Sequence, residues 1–216
     1  MDIKSSLLPA LQIPPITSTI SRLILAMEQR VDLDHSAQAL GEIFASLTLP
    51  YLQEFELQGF CFTWPHGNFL ALCERSSFRR CLKTLGVSHV VITEKELLQV
   101  LSALGSLEYL HIADQPLREG EVKVITDSFL LALTVSSASV RGLPLLPRLR
   151  HFSCISLLCF TNDIFKDFIT SRLDACSPRP FQITIKWYSH TVPGFLQMPQ
   201  ASCRNFWLAV HCSYTA

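Results

Sequence analysis

The chain has 216 residues, 49% of them hydrophobic and only 17% charged, which suits one sizeable globular domain and excludes a disordered polar chain. Its 18 basic and 18 acidic residues cancel. A neutral chain carries no electrostatic footprint for nucleic acid or for an anionic membrane surface.

No window offers 18 uninterrupted apolar residues, so no membrane span is expected. The opening MDIKSSLLPALQIPPI has one lysine and a short apolar run broken by Pro9, Pro14 and Pro15, which makes a poor signal peptide. Residues 1–19 read as an irregular lead-in.

The first apolar strand follows in ISRLILA, with Ile20, Leu23 and Leu25. Asp34 is placed to cap a helix whose apolar face is Ala37, Leu40, Phe44 and Leu47, and Pro50 stops it. Leu52, Phe55 and Leu57 repeat the strand pattern. Trp64-Pro65 opens the next helix, which carries Phe69, Leu70, Leu72 and Cys73. Leu82, Leu85 and Val87 form a third strand. Thr93 and Glu96 then make a capping box for a helix with Leu97, Leu101 and Leu104.

Leu107, Leu110 and Ile112 form the fourth strand, and Thr126 caps the helix of Phe129, Leu130 and Leu133. A longer loop spans Val135 to Pro147. Leu149, Phe152 and Cys154 make the fifth strand, and Thr161 caps a helix with Ile164, Phe165, Phe168 and Ile169. FQITIKW is a sixth, weaker strand.

Strand and helix alternate at steps of about 25 to 42 residues, and each strand reads L-x-x-L-x-L. That is the signature of a leucine-rich repeat, whose units bury their apolar faces only by stacking. The fold class expected is α/β: a leucine-rich-repeat solenoid of the ribonuclease-inhibitor-like type, with parallel strands on the concave side and helices on the convex side. Five to six repeats occupy residues 20–187. Residues 188–216 lack the frame and read as a C-terminal cap or a disordered tail. The asparagine that usually follows the strand is replaced by Phe60, Val90, Gln115 and Leu157, so the common asparagine ladder is missing.

No catalytic constellation stands out, and the chain is not read as an enzyme. There is no G-x-S-x-G elbow, no phosphate-binding glycine loop and no C-x-x-C pair. The eight glycines are scattered, mostly where turns are expected. Asp127 and Asp163 fit helix starts, where a negative charge meets the positive end of the dipole. The nearest approach to a metal pair is Cys154 with Cys159, and Cys154 falls on the inward side of its strand, so no metal or cofactor is expected. Cys61, Cys73, Cys81, Cys154 and Cys159 sit in apolar runs, as reduced thiols do, which points to cytoplasm or nucleus.

The candidate site is the polar face of the strands. Side chains alternate across a sheet, so Arg22, Ile24, Glu54, Glu56, Gln58, Thr84, Ser88, Tyr109, His111, His151, Ser153, Gln182, Thr184 and Lys186 point away from the core. Within that set Glu54, Glu56, Tyr109, His111 and His151 are the candidate partner-binding residues, because aromatic and charged groups on a rigid surface make binding anchors.

The stretches SLTLPYLQEFELQGF, WPHGNFLALCERS, VITEKELLQVLSALGSLEYLHI and LLPRLRHFSCISL resemble the repeat region of fungal (basidiomycete) F-box proteins with C-terminal leucine-rich repeats, over about residues 17–187. The resemblance implies a protein-recognition module, the substrate-binding part of a ubiquitin-ligase adaptor. The F-box itself, a leucine-proline start running into a short three-helix segment, is not found ahead of the repeats, and LLPALQIPPI does not continue into helix. A partnership with the cullin adaptor is therefore expected only where an F-box is present. The alternative is a free-standing repeat scaffold with no ligase role.

Overall fold

A computed structural model describes residues 14–27, 33–59, 62–113, 124–135, 145–156, 159–176, 180–188 and 206–213. In chain order the elements are β1 (Ile16–Thr17), β2 (Arg22–Ala26), α1 (Leu33–Ser46), β3 (Leu47–Thr48), β4 (Glu54–Gln58), α2 (His66–Arg75), α3 (Phe78–Cys81) and β5 (Thr84–Ser88). There follow α4 (Glu94–Ser102), β6 (Tyr109–Ala113), α5 (Asp127–Leu133), β7 (His151–Ser156), α6 (Asn162–Cys176), β8 (Phe181–Tyr188) and β9 (Phe206–Ser213).

The chain is α/β. Seven strands form one sheet in the order β2-β4-β5-β6-β7-β8-β9, every neighbour parallel, and the spatial order is the sequence order. That arrangement is compatible with a stacked repeat. Among the described residues no helix is long and apolar enough to cross a membrane.

The register is set by apolar rows. Leu23, Phe55, Leu85, Leu110, Phe152 and Ile183 lie side by side, as do Leu25, Leu57, Val87, Ile112, Cys154 and Ile185. From β4 to β8 every residue of both rows is buried. A slip of one residue would carry the whole set to the opposite face, so burial on one side specifies the pairing. Leu52, Leu82, Leu107 and Leu149, the leading leucines of the motif, precede their strands and are fully buried.

Ile20 departs from this pattern. It is 40% exposed, because the chain ahead of β2 turns to pair β1 with β3. Ser18 N–H donates to the Thr48 carbonyl at 3.0 Å within that small parallel sheet. A strand thus lies within the segment read as an irregular lead-in.

One backbone junction recurs at the start of the strands. The Gln53 carbonyl accepts from the N–H groups of Lys83 and Thr84, Lys83 from Glu108 and Tyr109, and Glu108 from Arg150 and His151, all at 2.8 to 3.0 Å. One carbonyl holding two amides of the next unit ties the registers together.

The helices pack on the apolar side of the sheet. Phe69 of α2 is a hub, with ring centroids 5.5 Å from Phe44, 5.2 Å from Phe55 and 4.7 Å from Trp64. Further along, Phe152 lies 6.3 Å from Phe129 and 5.8 Å from Phe168, which in turn lies 5.9 Å from Phe181. Such tilted and edge contacts add to the burial of large apolar rings.

Two helix starts follow the sequence, whereas α1 departs from it: the helix begins at Leu33, so Asp34 lies within it instead of capping it, and it ends at Ser46, which leaves Leu47 in β3. Thr93 accepts from Glu96 N–H and Glu96 reaches back to Thr93 N–H, a full capping box, and Thr126 Oγ1 accepts from Phe129 N–H. The caps are also linked to one another. Thr126 Oγ1 donates to Glu94 Oε2 at 2.6 Å. Thr161 donates to Asp127 Oδ1 through its N–H at 2.6 Å and its hydroxyl at 3.2 Å. Thr126 and Thr161 thus each bind the acidic residue at the start of the preceding helix.

Arg172 carries no mark in the sequence, yet it is fully buried. Its guanidinium donates to the carbonyls of Leu133, ahead of the long loop, and of Leu145 and Leu146 near its end. β9 lies within 188–216, where the sequence offers no repeat frame, and extends the sheet by a strand parallel to β8. Residues 189–205 and 214–216, and Phe60, Gln115 and Leu157 of the substituted asparagine positions, lie outside the described residues.

The two faces should differ sharply in tolerance. Leu85→Lys places a charge in the buried row and should cost several kcal/mol. Thr84→Lys, one residue earlier on the other face and beside Glu54, should stay within about 0.5 kcal/mol of wild type. Equal losses in denaturant melts would contradict the assignment of faces.

Candidate functional site

The same register that aligns the core aligns the opposite face. Arg22, Glu54, Thr84, Tyr109, His151 and Gln182 form one row. Ile24, Glu56, Gly86, His111, Ser153 and Thr184 form the next. Both rows stand on strands whose other side is locked into the core, so their backbone positions are rigid. Among the described residues no helix covers this face.

All five candidates lie here and are half-buried. Glu54, Tyr109 and His151 share the first row, and Glu56 and His111 share the second. The Tyr109 and His151 rings stack at 4.4 Å with an interplanar angle of 30°. His151 Nδ1 lies 2.9 Å from Gln182 Oε1, and His111 Nδ1 lies 3.0 Å from Ser153 Oγ. These contacts hold both imidazoles in place.

At the β2 edge Arg22 Nε meets Glu54 Oε2 at 3.1 Å, and its Nη2 meets Glu56 Oε1 at 3.6 Å. Arg22 is 58% exposed, so the pair contributes at most about 1 kcal/mol. It nonetheless orients both carboxylates.

Gly86 was missed in the sequence, where scattered glycines suggest turns. It stands in the middle of β5, between Glu56 and His111. A methyl group there would lie 3.1 Å from Glu56 Cγ. The absent side chain opens a hollow of about 230 Å³ bordered by Glu56, Thr84, Tyr109, His111 and Ser153. A second hollow of about 300 Å³ adjoins it at Thr84 and Tyr109. Its rim carries Gln53, Lys83, Glu108 and Arg150, which sit one residue before the strand pattern and so escaped the alternation argument.

Burial holds His111 below its ordinary 6.5; nearby Glu56 opposes the shift, while Lys186, His151 and His89 reinforce it. Burial lowers His151 as well, against its bond to Gln182. The Tyr109 phenol is raised by burial and then by the charge of Glu56. Burial thus favours neutral imidazoles and a protonated phenol at the centre of the face, beside the side chains of Glu54 and Glu56. Among the described residues no group of three or more His, Cys, Asp or Glu is placed to hold a metal ion. The arrangement suits recognition by hydrogen bonds, stacking and charge.

No protein-family model matches the chain, and no curated protein matches it.

The lowered histidines make stability depend on pH. The unfolded chain takes up protons near 6.5, before the folded one does, so stability should be complete above 6.5 and fall on acidification. In a His111→Asn, His151→Gln variant that part of the loss should vanish. Urea melts from pH 7.5 to 5 would show whether the slopes differ.

Proposed function

We propose that this chain is a leucine-rich-repeat solenoid of the ribonuclease-inhibitor-like type and that it recognises protein partners through the open face of its sheet. The observation that carries this reading is the pair of in-register rows, which bring Glu54, Glu56, Tyr109, His111 and His151 from three parallel strands onto one uncovered surface. Stacked repeats use such a surface to bind partners. Side chains fixed by a rigid sheet lose little entropy on binding, and a stacked tyrosine–histidine pair is a natural anchor.

Its role as the substrate-binding part of an F-box-like ubiquitin-ligase adaptor rests on the resemblance of the repeat units to fungal F-box proteins. In that role the open face holds the protein to be modified, and the cullin adaptor is reached through an F-box.

Affinity capture tests both levels. The wild-type chain and a Tyr109→Ala, His151→Ala variant of matched melting temperature are used as bait in a basidiomycete lysate, with mass-spectrometric readout. Proteins bound through the face should be lost from the variant, since truncating an anchor costs about 2 kcal/mol or more. Equal capture by both baits would overturn the reading. Recovery of the cullin adaptor places the chain in a ligase; partners without the adaptor fit a free-standing scaffold.

A further inference from the structure

We propose that the hollow over Gly86 receives the lysine or arginine side chain of an extended segment of the partner, a refinement that rests on the recognition reading above. The hollow is one side chain wide by construction, because the row Glu56–Gly86–His111 lacks its central side chain. On one side stands the Glu56 stem, and on the other the His111 ring with Ser153 behind it. Tyr109, stacked on His151, forms a further wall.

Charge selects the occupant. Of the side chains that line the hollow, Glu56 alone is acidic, and burial favours the neutral forms of His111 and Tyr109. Its side chain is only 31% exposed, and its one described ion pair, to Arg22, is long at 3.6 Å. A carboxylate accepts several hydrogen bonds, so Glu56 has capacity left. An acidic group entering here would meet a like charge, and an apolar group would strip water from the carboxylate without replacing it. A cation restores the lost hydration and can lie against the Tyr109 ring. Arg22 is a precedent within the molecule: a guanidinium lying along this face already reaches both Glu54 and Glu56.

The adjoining hollow explains the extended segment. It holds Glu54 and Glu108 with Lys83 and Arg150, charges that balance. It favours polar backbone without preferring either sign, so discrimination falls to the Gly86 hollow.

The test is a positional-scanning library of extended peptides, each with one position set to Lys, Arg, Gln, Leu or Glu in a neutral background. Binding to the whole chain is read by fluorescence anisotropy at low and physiological salt. Lys and Arg peptides should bind at least tenfold tighter than the Glu and Leu series, and salt should narrow the gap. Glu56→Gln should reduce the preference about tenfold. Gly86→Val, which fills the hollow on a strand that tolerates β-branching, should abolish it at an unchanged melting temperature. Should that variant unfold, Glu56→Lys serves instead, and should turn the preference toward Glu peptides.

A preference for acidic or apolar residues, or a basic preference untouched by Glu56→Gln, would overturn the proposal. If peptides bind with no preference for charge, and Tyr109→Ala weakens them, face recognition stands and the basic-residue claim falls. If no peptide series binds and partner capture ignores Tyr109 and His151, both fall together.

Discussion

The in-register parallel pairing of β2 and β4 through β8 is the constraint on which the rest depends. It does two things with one geometry. On one side it stacks Leu23, Phe55, Leu85, Leu110, Phe152 and Ile183 into a continuous apolar row for the helices to cover. On the other it delivers polar side chains in equally straight rows. A one-residue slip of β4, β6 or β7 would move a phenylalanine or leucine into water and a glutamate or histidine into the core. Core and site are therefore the same fact seen from opposite faces.

Secondary ties keep the units from rotating about their strands. The doubly accepting carbonyls of Gln53, Lys83 and Glu108 lock the strand entries. At the far ends, the links from Thr126 to Glu94 and from Thr161 to Asp127 join successive helix caps. Val90, at one of the positions where the sequence lacks asparagine, is a buried apolar residue. A capping residue here serves its own helix and the stacking of its neighbour.

Much of this was legible in residue order. The L-x-x-L-x-L strands, the capping box at Thr93 and the cap at Thr126 each follow from local chemistry, and local chemistry prevailed. The open-face rows follow from strict alternation, which places Glu54, Glu56, Tyr109, His111 and His151 on one face. What escaped depends on distant partners. Gly86 resembles a turn glycine until a neighbouring strand places Glu56 beside it. Arg172 looks like a solvated helix residue until the carbonyls of Leu133, Leu145 and Leu146 close around it. β1 exists only because Leu47–Thr48 lies alongside, and β9 only because β8 does.

On the proposed reading, partners meet the open face and not the helix layer. A photo-crosslinking residue placed at Thr84, amid the two hollows, and separately at Leu131, which is 51% exposed on α5, tests it directly. Irradiated in lysate, the Thr84 probe should yield discrete crosslinked partners that the Leu131 probe does not. Crosslinks from Leu131 with none from Thr84 would contradict it.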